Sequence, residues 1–481
     1  MSTADTVRNF ITTINRRACE ETAIKQYDII VAGAGFAGIY AAWRLARSGS
    51  KVALVEAADK IGGNLQSRPW NGYWVDNGTH NFDIRTPIGE AFYTDILQDN
   101  ILIWDDQQWA CTTNKTWTNG FEMPDFSVDN PALAQRALAE LKALENEPQS
   151  TQVPDRYLDW YRLNYGATLT ESIIPMLRKY TGSDPALFSA DARSSLGMFS
   201  RPKLGSDAEM IELKEKSPFW DDRLGVSLMS GDRRFAGKST NKKFAYPARH
   251  GLKGFCDAAQ KRLIEMGVDI YTGHGVNAIS DSGQAVCVTA GDQTFTASKL
   301  FWSLPEVVLA KILDLEVDLM SSAVPVGTCF FAFEVPANSV QGPDYLQDYS
   351  QDRLPFRYNK VGIYGEQTKS NGNTLVTAEV PSHPANIKAV ITDENQSRAW
   401  QALLETGYLK PGTIAADAMY WGHPVAYTMP KAGWRTPYEK AQQLFNDVSE
   451  RIVGVEFGYR GRFNFMMFYE NKLQHKLLGT T

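Results

Sequence analysis

The sequence predicts an α/β protein in which a parallel-sheet unit interlaces with a mixed or antiparallel sheet and a helical region. Three observations carry that prediction. Residues 27–64 read as a strand, a glycine-rich turn, a helix and a second strand ending in an acid. Longer alternating strands recur far downstream, at 327–335 and 374–380, and helical patterns at 131–146 and 172–180 lie between. At 481 residues the chain is too long for one compact core. Its 43% hydrophobic and 22% charged residues are those of an ordinary globular protein, and a net charge of −6 gives no support to a nucleic-acid partner.

Asp28 to Ala32 (DIIVA) is a short apolar run suited to a buried parallel strand. Gly33-Ala34-Gly35-Phe36-Ala37-Gly38 follows as G-x-G-x-x-G at the strand-to-helix turn. In that pattern the first glycine allows the turn, the second lets backbone approach a pyrophosphate, and the third lets the helix pack on the strand. The helix start adds free N–H groups and a partial positive charge. Glu56 ends the second strand 18 residues past Gly38, where a ribose hydroxyl needs an acceptor. The unit predicts a Rossmann-like dinucleotide site; a glycine-rich turn without a ligand does not account for the spacing of Glu56.

Ile61-Gly62-Gly63-Asn64 comes next, then a hairpin turning at Asn71-Gly72, then a polar loop from Asp76 to Phe82 of the kind that borders a ligand. Leu204 to Lys243 reads as loops and short helices. From Phe244 the pattern changes to a helix through Met266, short strands at 267–271 and 276–279, a hairpin of 285–289 with 294–297, and a buried strand at 299–303. The two longer strands and a closing helix at 436–452 complete the chain. The expected organisation is an N-terminal helical extension (1–26), a dinucleotide-binding fold in three parts (27–90, 244–306 and 410–481), a helical cap (91–243) and a substrate-domain sheet (307–409). Within the extension, Val7, Phe10, Ile11 and Ile14 share one face of a short helix docked on the body.

Five cysteines (Cys19, Cys111, Cys256, Cys287, Cys329) are scattered, odd in number and without C-x-x-C or metal spacing, which points to a reducing compartment and to no structural metal. No run reaches the roughly 18 to 20 apolar residues of a membrane span, and the leader lacks a signal-peptide core. The expected location is cytoplasmic.

These residues resemble the FAD flavoprotein superfamily that includes amine oxidases, protoporphyrinogen oxidase, phytoene desaturase and UDP-galactopyranose mutase. The resemblance rests on Gly33-x-Gly35-x-x-Gly38, Glu56 and the Gly62-Gly63 pair, which separates this group from NAD dehydrogenases. It implies non-covalent FAD held by Gly33, Gly35, Phe36, Ala37, Gly38, Glu56, Gly62, Gly63 and Asn64. It also implies that Val276 touches adenine through its backbone and that Arg462 lies over the flavin. Gly63-Asn64 and Gly78-Thr79-His80-Asn81-Phe82 are most similar to UDP-galactopyranose mutase. Tyr180-Thr181-Gly182, Arg201-Pro202, Tyr246-Pro247, Phe356-Arg357 and Gly461-Arg462 follow in the order of mutase landmarks. In that family, tyrosines after the Gly-Arg hold a substrate diphosphate. Here Met466 and Phe468 stand there, which removes two hydroxyl donors, although Tyr469 could serve one contact.

The resemblance marks His80, Arg357 and Arg462 as catalytic candidates. His80 could orient substrate or tune flavin N5, or simply cap its loop. Arg357 could neutralise an anionic substrate or reduced flavin, or pair with Glu379 or Asp348. Arg462 would stabilise negative charge on the reduced ring. Arg201, Tyr427, Met466 and Phe468 are substrate-side candidates, with His423 near the active site. The implied function is a FAD-dependent oxidoreductase (oxidase, dehydrogenase or desaturase) moving hydride from a small molecule to flavin N5. The alternative is a mutase-like isomerase that uses reduced flavin N5 as nucleophile. Rab GDP-dissociation inhibitors share the fold but bind a protein and a prenyl chain; the intact glycines argue against that third reading.

Overall fold

The computed structural model describes residues 25–84, 86–104, 109–113, 117–119, 123–147, 152–226, 244–455 and 462–479. The expected N-terminal helix and Gly461 lie outside them, and Lys25 and Gln26 already belong to the first strand.

That strand, Lys25–Ala32, is central in a sheet that also draws on the middle and the end of the chain. The strands Asp269–Tyr271, Val52–Val55, Lys25–Ala32 and Gln293–Trp302 run parallel in that order. Val286–Ala290 and Val276–Asp281 extend the sheet antiparallel beyond Gln293–Trp302, and Ile452–Val453 returns to pair with Leu300 and Phe301. Val52–Val55 is buried along its whole length, as a strand covered on both faces requires. The helix Phe36–Arg47 packs on one side through Ile39, Tyr40, Trp43 and Leu45, all buried. The expected hairpin arm at 294–297 and the buried strand at 299–303 are one continuous strand, Gln293–Trp302.

The second sheet runs Asp417–Pro430, Ala323–Pro336, Asn373–Ser382, Arg357–Asn359, Tyr345–Asp348, Trp109–Thr112, Thr118–Asn119. Its pairs are antiparallel except for Tyr345–Asp348 with Trp109–Thr112. Register puts Trp421 opposite Phe330, Phe330 opposite Glu379, and Glu379 opposite Arg357. Directly opposed residues share a face, so these four make one row across four strands.

The helical region centres on Pro131–Glu145 and Tyr157–Thr181. Asn130 caps the first by accepting from Leu133 N at 3.1 Å, ahead of a proline at the first helical position. The second is far longer than the expected 172–180 and breaks at Gly166 (φ 83°, ψ 174°). Glu140 spans the break, accepting from Thr168 N at 3.0 Å and Thr168 Oγ1 at 2.5 Å. The closing helix is Arg435–Val448, shorter than expected because Ile452 is spent on the nucleotide sheet.

Cys111, Cys256 and Cys329 are free thiols, whereas Cys287 is disulfide-bonded, so the count of cysteines is a poor guide to the compartment. Among the described residues no helix is long and apolar enough to cross a membrane.

Candidate dinucleotide and active site

At the turn after Lys25–Ala32 there is little room for side chains. A Cβ on Gly38 would lie 1.8 Å from Gly33 O, and one on Gly33 would lie 2.7 Å from both Leu304 Cδ2 and Ser303 Oγ. Gly35 differs: a Cβ there would meet only Gly63 Cα, at 4.0 Å. The loop is therefore closed on its sheet side and open at Gly35. Gly62 N–H donates to Ala34 O at 2.7 Å, which lays the Gly62-Gly63 pair along the rim of that opening. Ser303, which sequence reasoning missed, braces the turn by donating through Oγ to Ala32 O (2.8 Å) and Gly33 O (3.0 Å).

Glu56 stands at the mouth. Its carboxylate accepts from Ala34 N at 2.7 Å and Ala58 N at 2.9 Å. His274 N–H donates to Glu56 O at 2.8 Å, which brings Val276, two residues on, beside the same strand end. The helix Phe36–Arg47 starts with no side-chain cap on its first N–H groups. The Phe36 ring is committed to packing against Phe92, Tyr93 and Phe465, so only its backbone faces the opening. A backbone-lined gap, uncapped helix N–H groups and an acceptor at the strand end fit a dinucleotide's pyrophosphate and ribose.

The loop from Asp76 to Phe82 lies between this cradle and the second sheet. Asp76 is buried and anchors it, accepting from Ser67 Oγ at 2.6 Å, from the Tyr246 hydroxyl and from Leu252 N at 3.1 Å. Burial pushes its carboxyl up to about 6 despite those donors. Trp421 Nε1 donates to Asn77 Oδ1 at 3.0 Å. Thr79 donates to Glu379 through both N and Oγ1, each at 3.1 Å, and Asn359 Nδ2 donates to Thr79 Oγ1 at 2.7 Å. The row of the second sheet thus forms the floor under Asn77 to Thr79, with Phe330 stacked on Trp421 at 4.9 Å.

His80 and Arg462 meet here. Arg462 donates to His80 Nδ1 at 2.7 Å and to Asn81 O at 3.2 Å. A guanidinium can only donate, so Nδ1 is the acceptor, and Nε2–H donates to Asn77 O at 3.1 Å. Burial and the Arg462 charge, with Arg357 and His423 adding, hold the imidazole well below its ordinary range. Arg357 pairs with Glu379 and donates to the Tyr345 hydroxyl at 3.1 Å. Burial opposes its charge, but Glu379 outweighs burial and holds the guanidinium well above its ordinary value. Of the two carboxylates weighed as partners for Arg357, Glu379 is the one engaged; Asp348 belongs to Arg353 at 2.5 Å. Asn64 Oδ1 accepts from His423 Nε2 at 3.2 Å, and Asn64 Nδ2 donates to Ala426 O at 3.2 Å, pinning the rim to the edge strand.

The four substrate-side candidates differ in their burial and partners. Met466 is buried at 1% exposure, with its Cε beside Gly89. Phe468 packs against the same core cluster, 6.0 Å from Lys472 Nζ. Tyr469, the remaining hydroxyl, is fully buried against Tyr40 and Phe301. The segment RFNFMMFYE is apolar nearly all round, so sequence could not tell which face turns inward. Tyr427 donates to Tyr180 O at 3.4 Å and ties the edge strand to the long helix. Arg201 is exposed at the end of the short helical turn Gly197–Ser200. Among the described residues no group of His, Cys, Asp and Glu is arranged to hold a metal.

Comparison with known proteins agrees with this architecture. Residues 31–95 match the family model for an NAD(P)-binding Rossmann-like domain. The chain is 26% identical over 298 residues to 4,4'-diapolycopene oxygenase of a Methylomonas species, covering 59% of this chain and 56% of that protein. It therefore spans just over half of that relative's length. A putrescine oxidase of Kocuria rosea is 41% identical over 66 residues, 14% of each protein. Among solved structures, reduced UDP-galactopyranose mutase superposes with a TM-score of 0.66 at 18% identity, covering 95% of this chain and 94% of that one. A putrescine oxidase variant superposes with a TM-score of 0.58 at 14% identity, covering 95% and 100%. The chain thus shares the fold of UDP-galactopyranose mutase and putrescine oxidase, and its first segment is a Rossmann-like dinucleotide-binding unit.

Proposed function

We propose that the protein is a FAD-dependent oxidoreductase that takes a hydride from a small-molecule substrate. The observation that carries this reading is the meeting of Arg462 and His80 on the loop between the glycine cradle and the second sheet. FAD, when bound, supplies the hydride acceptor. The cradle from Gly33 to Gly38, Glu56 and the Gly62-Gly63 rim would hold it without a covalent bond. Arg462 spends its two hydrogen bonds on uncharged acceptors, His80 Nδ1 and Asn81 O, and so keeps its charge for negative charge that develops nearby. His80, neutral and bonded at both nitrogens, positions that guanidinium. Arg357 is matched by Glu379, which also accepts from Thr79, and leaves no surplus charge.

A mutase-like isomerisation with no net redox change is the second reading, favoured by the likeness to reduced UDP-galactopyranose mutase over nearly the whole chain. The burial of Met466 and Tyr469 weighs against it, because no hydroxyl of that helix turns toward a diphosphate.

The deciding experiment is to record the flavin spectrum, reduce the protein anaerobically with dithionite and time reoxidation on mixing with air. Rapid reoxidation supports an oxidase. Slow reoxidation rejects it for a dehydrogenase with another acceptor or for the mutase, with nucleotide sugars then tried on the reduced protein. A colourless protein overturns the flavin assignment.

A further inference from the structure

Among the described residues no carboxylate pairs with Arg68. It sits on the hairpin strand Ser67–Trp70, half-buried, with its guanidinium carbon 4.7 Å from the ring centre of Trp421. No carboxylate, carbonyl or hydroxyl among the described residues accepts a hydrogen bond from it. Three other arginines drawn into the body are matched by carboxylates: Arg44 by Glu470 at 2.9 Å, Arg353 by Asp348 at 2.5 Å, and Arg357 by Glu379. Burial lowers Arg68 from its ordinary value with no charge to offset it, whereas Glu470, Asp348 and Glu379 reverse that effect at their partners.

The position gives that charge a use. Trp421, under Arg68, is the edge residue of the row that floors the candidate site, and its indole N–H holds Asn77. His423, two residues along the same strand, is kept below its ordinary range by burial and by Arg68, and it contacts Asn64 on the cradle rim. A guanidinium with its fork of donors unspent, packed on an aromatic face near a histidine held neutral, is a receptor for an oxyanion. Leaving it unmatched costs folding free energy that a purely structural arginine would not need to carry.

We propose that Arg68 anchors an anionic group of the substrate, a carboxylate or a phosphate, at the edge-strand end of the site. This rests on the flavoenzyme reading above and names the substrate class that reading leaves open. The five donors of Arg68 select an oxyanion over a neutral amide, and Trp421 holds the guanidinium flat for a two-bond contact.

The test is calorimetric titration of the yellow holoprotein with benzoate, with inorganic phosphate and with benzamide, for wild type, Arg68→Leu and Arg68→Lys. Wild type is expected to bind one of the two anions, and which one binds distinguishes carboxylate from phosphate. Arg68→Leu should weaken that anion at least about tenfold, Arg68→Lys should fall between, and benzamide should not respond to either change. Equal anion binding in wild type and Arg68→Leu, or no binding of either anion by wild type, overturns the proposal. So does loss of flavin from both folded variants, since the guanidinium would then serve the cofactor's pyrophosphate. A colourless wild type rejects the flavin reading instead, and the same titrations still report on Arg68.

Discussion

The Arg462 guanidinium donates to His80 Nδ1 at 2.7 Å across 382 residues of chain. Each group fixes the other: the arginine holds the imidazole in its Nε2–H form, and the imidazole aims the arginine. His80→Asn keeps an acceptor for Arg462, whereas His80→Ala removes it. His80→Ala should lose about 1.5–3 kcal/mol of this contact, seen as a lower melting temperature and weaker flavin retention, and His80→Asn should recover most of that loss. His80 should not protonate as pH falls through 6.5, the ordinary histidine value. An imidazole signal titrating at that pH in a nitrogen-15 spectrum would reject the assignment.

Gly35 and Gly38 should fail differently. Gly35→Val places a side chain in the open cradle, so the protein should fold and melt normally but purify without flavin. Gly38→Ala meets Gly33 O at 1.8 Å and should be poorly soluble or melt far lower. A fully yellow Gly35→Val protein would overturn the cradle assignment.

Glu379 matches a buried guanidinium and accepts twice from Thr79. Glu379→Gln leaves Arg357 without its countercharge, at a cost of about 3–5 kcal/mol for a broken buried pair. Chemical denaturation should show this loss, and the double variant Glu379→Gln, Arg357→Gln should be less destabilised than the sum of the two singles.

Asp76 ties stability to pH. Its carboxyl lies at 3.8 in the unfolded chain and is pushed up to about 6 in the folded one. A raised folded value means that its contribution is complete below 3.8 and is lost as pH rises through about 6. Relative to Asp76→Asn, the wild type should therefore lose about 3 kcal/mol across that window. Parallel melting curves for the two proteins from pH 3.5 to pH 7 check the sign, and a flat difference rejects it.

Tyr469 has a buried hydroxyl with no hydrogen-bond partner among the described residues. Tyr469→Phe should be neutral or slightly stabilising and should leave KM for any substrate unchanged. A raised KM would restore Tyr469 as a substrate contact.

The nucleotide unit was legible because its signals are local. A buried strand, glycines at fixed offsets and an acid 18 residues on need no tertiary information. Asn71 (φ 47°) and Gly72 (φ 82°) likewise take the turn their pair predicts. The floor of the site was not legible, since the row of Trp421, Phe330, Glu379 and Arg357 exists only through the register of four distant strands. The strand Asp417–Pro430 hid behind Gly422 and Pro424. It tolerates them as an edge strand, with a register shift opposite Gly327. Arg68 escaped notice because an exposed and an unmatched half-buried arginine read alike in sequence.

The return of the chain has a consequence for biosynthesis. Ile452–Val453 completes the nucleotide sheet, and Arg462 closes the loop at His80. A nascent chain that has emerged only through residue 448 carries every glycine of the cradle but neither of these late pieces. The binding unit is thus finished only once Ile452–Val453 has joined the sheet and Arg462 the loop. Deletions that remove residues 452–462, far in sequence from the glycine loop, should be as damaging to flavin loading as changes within it.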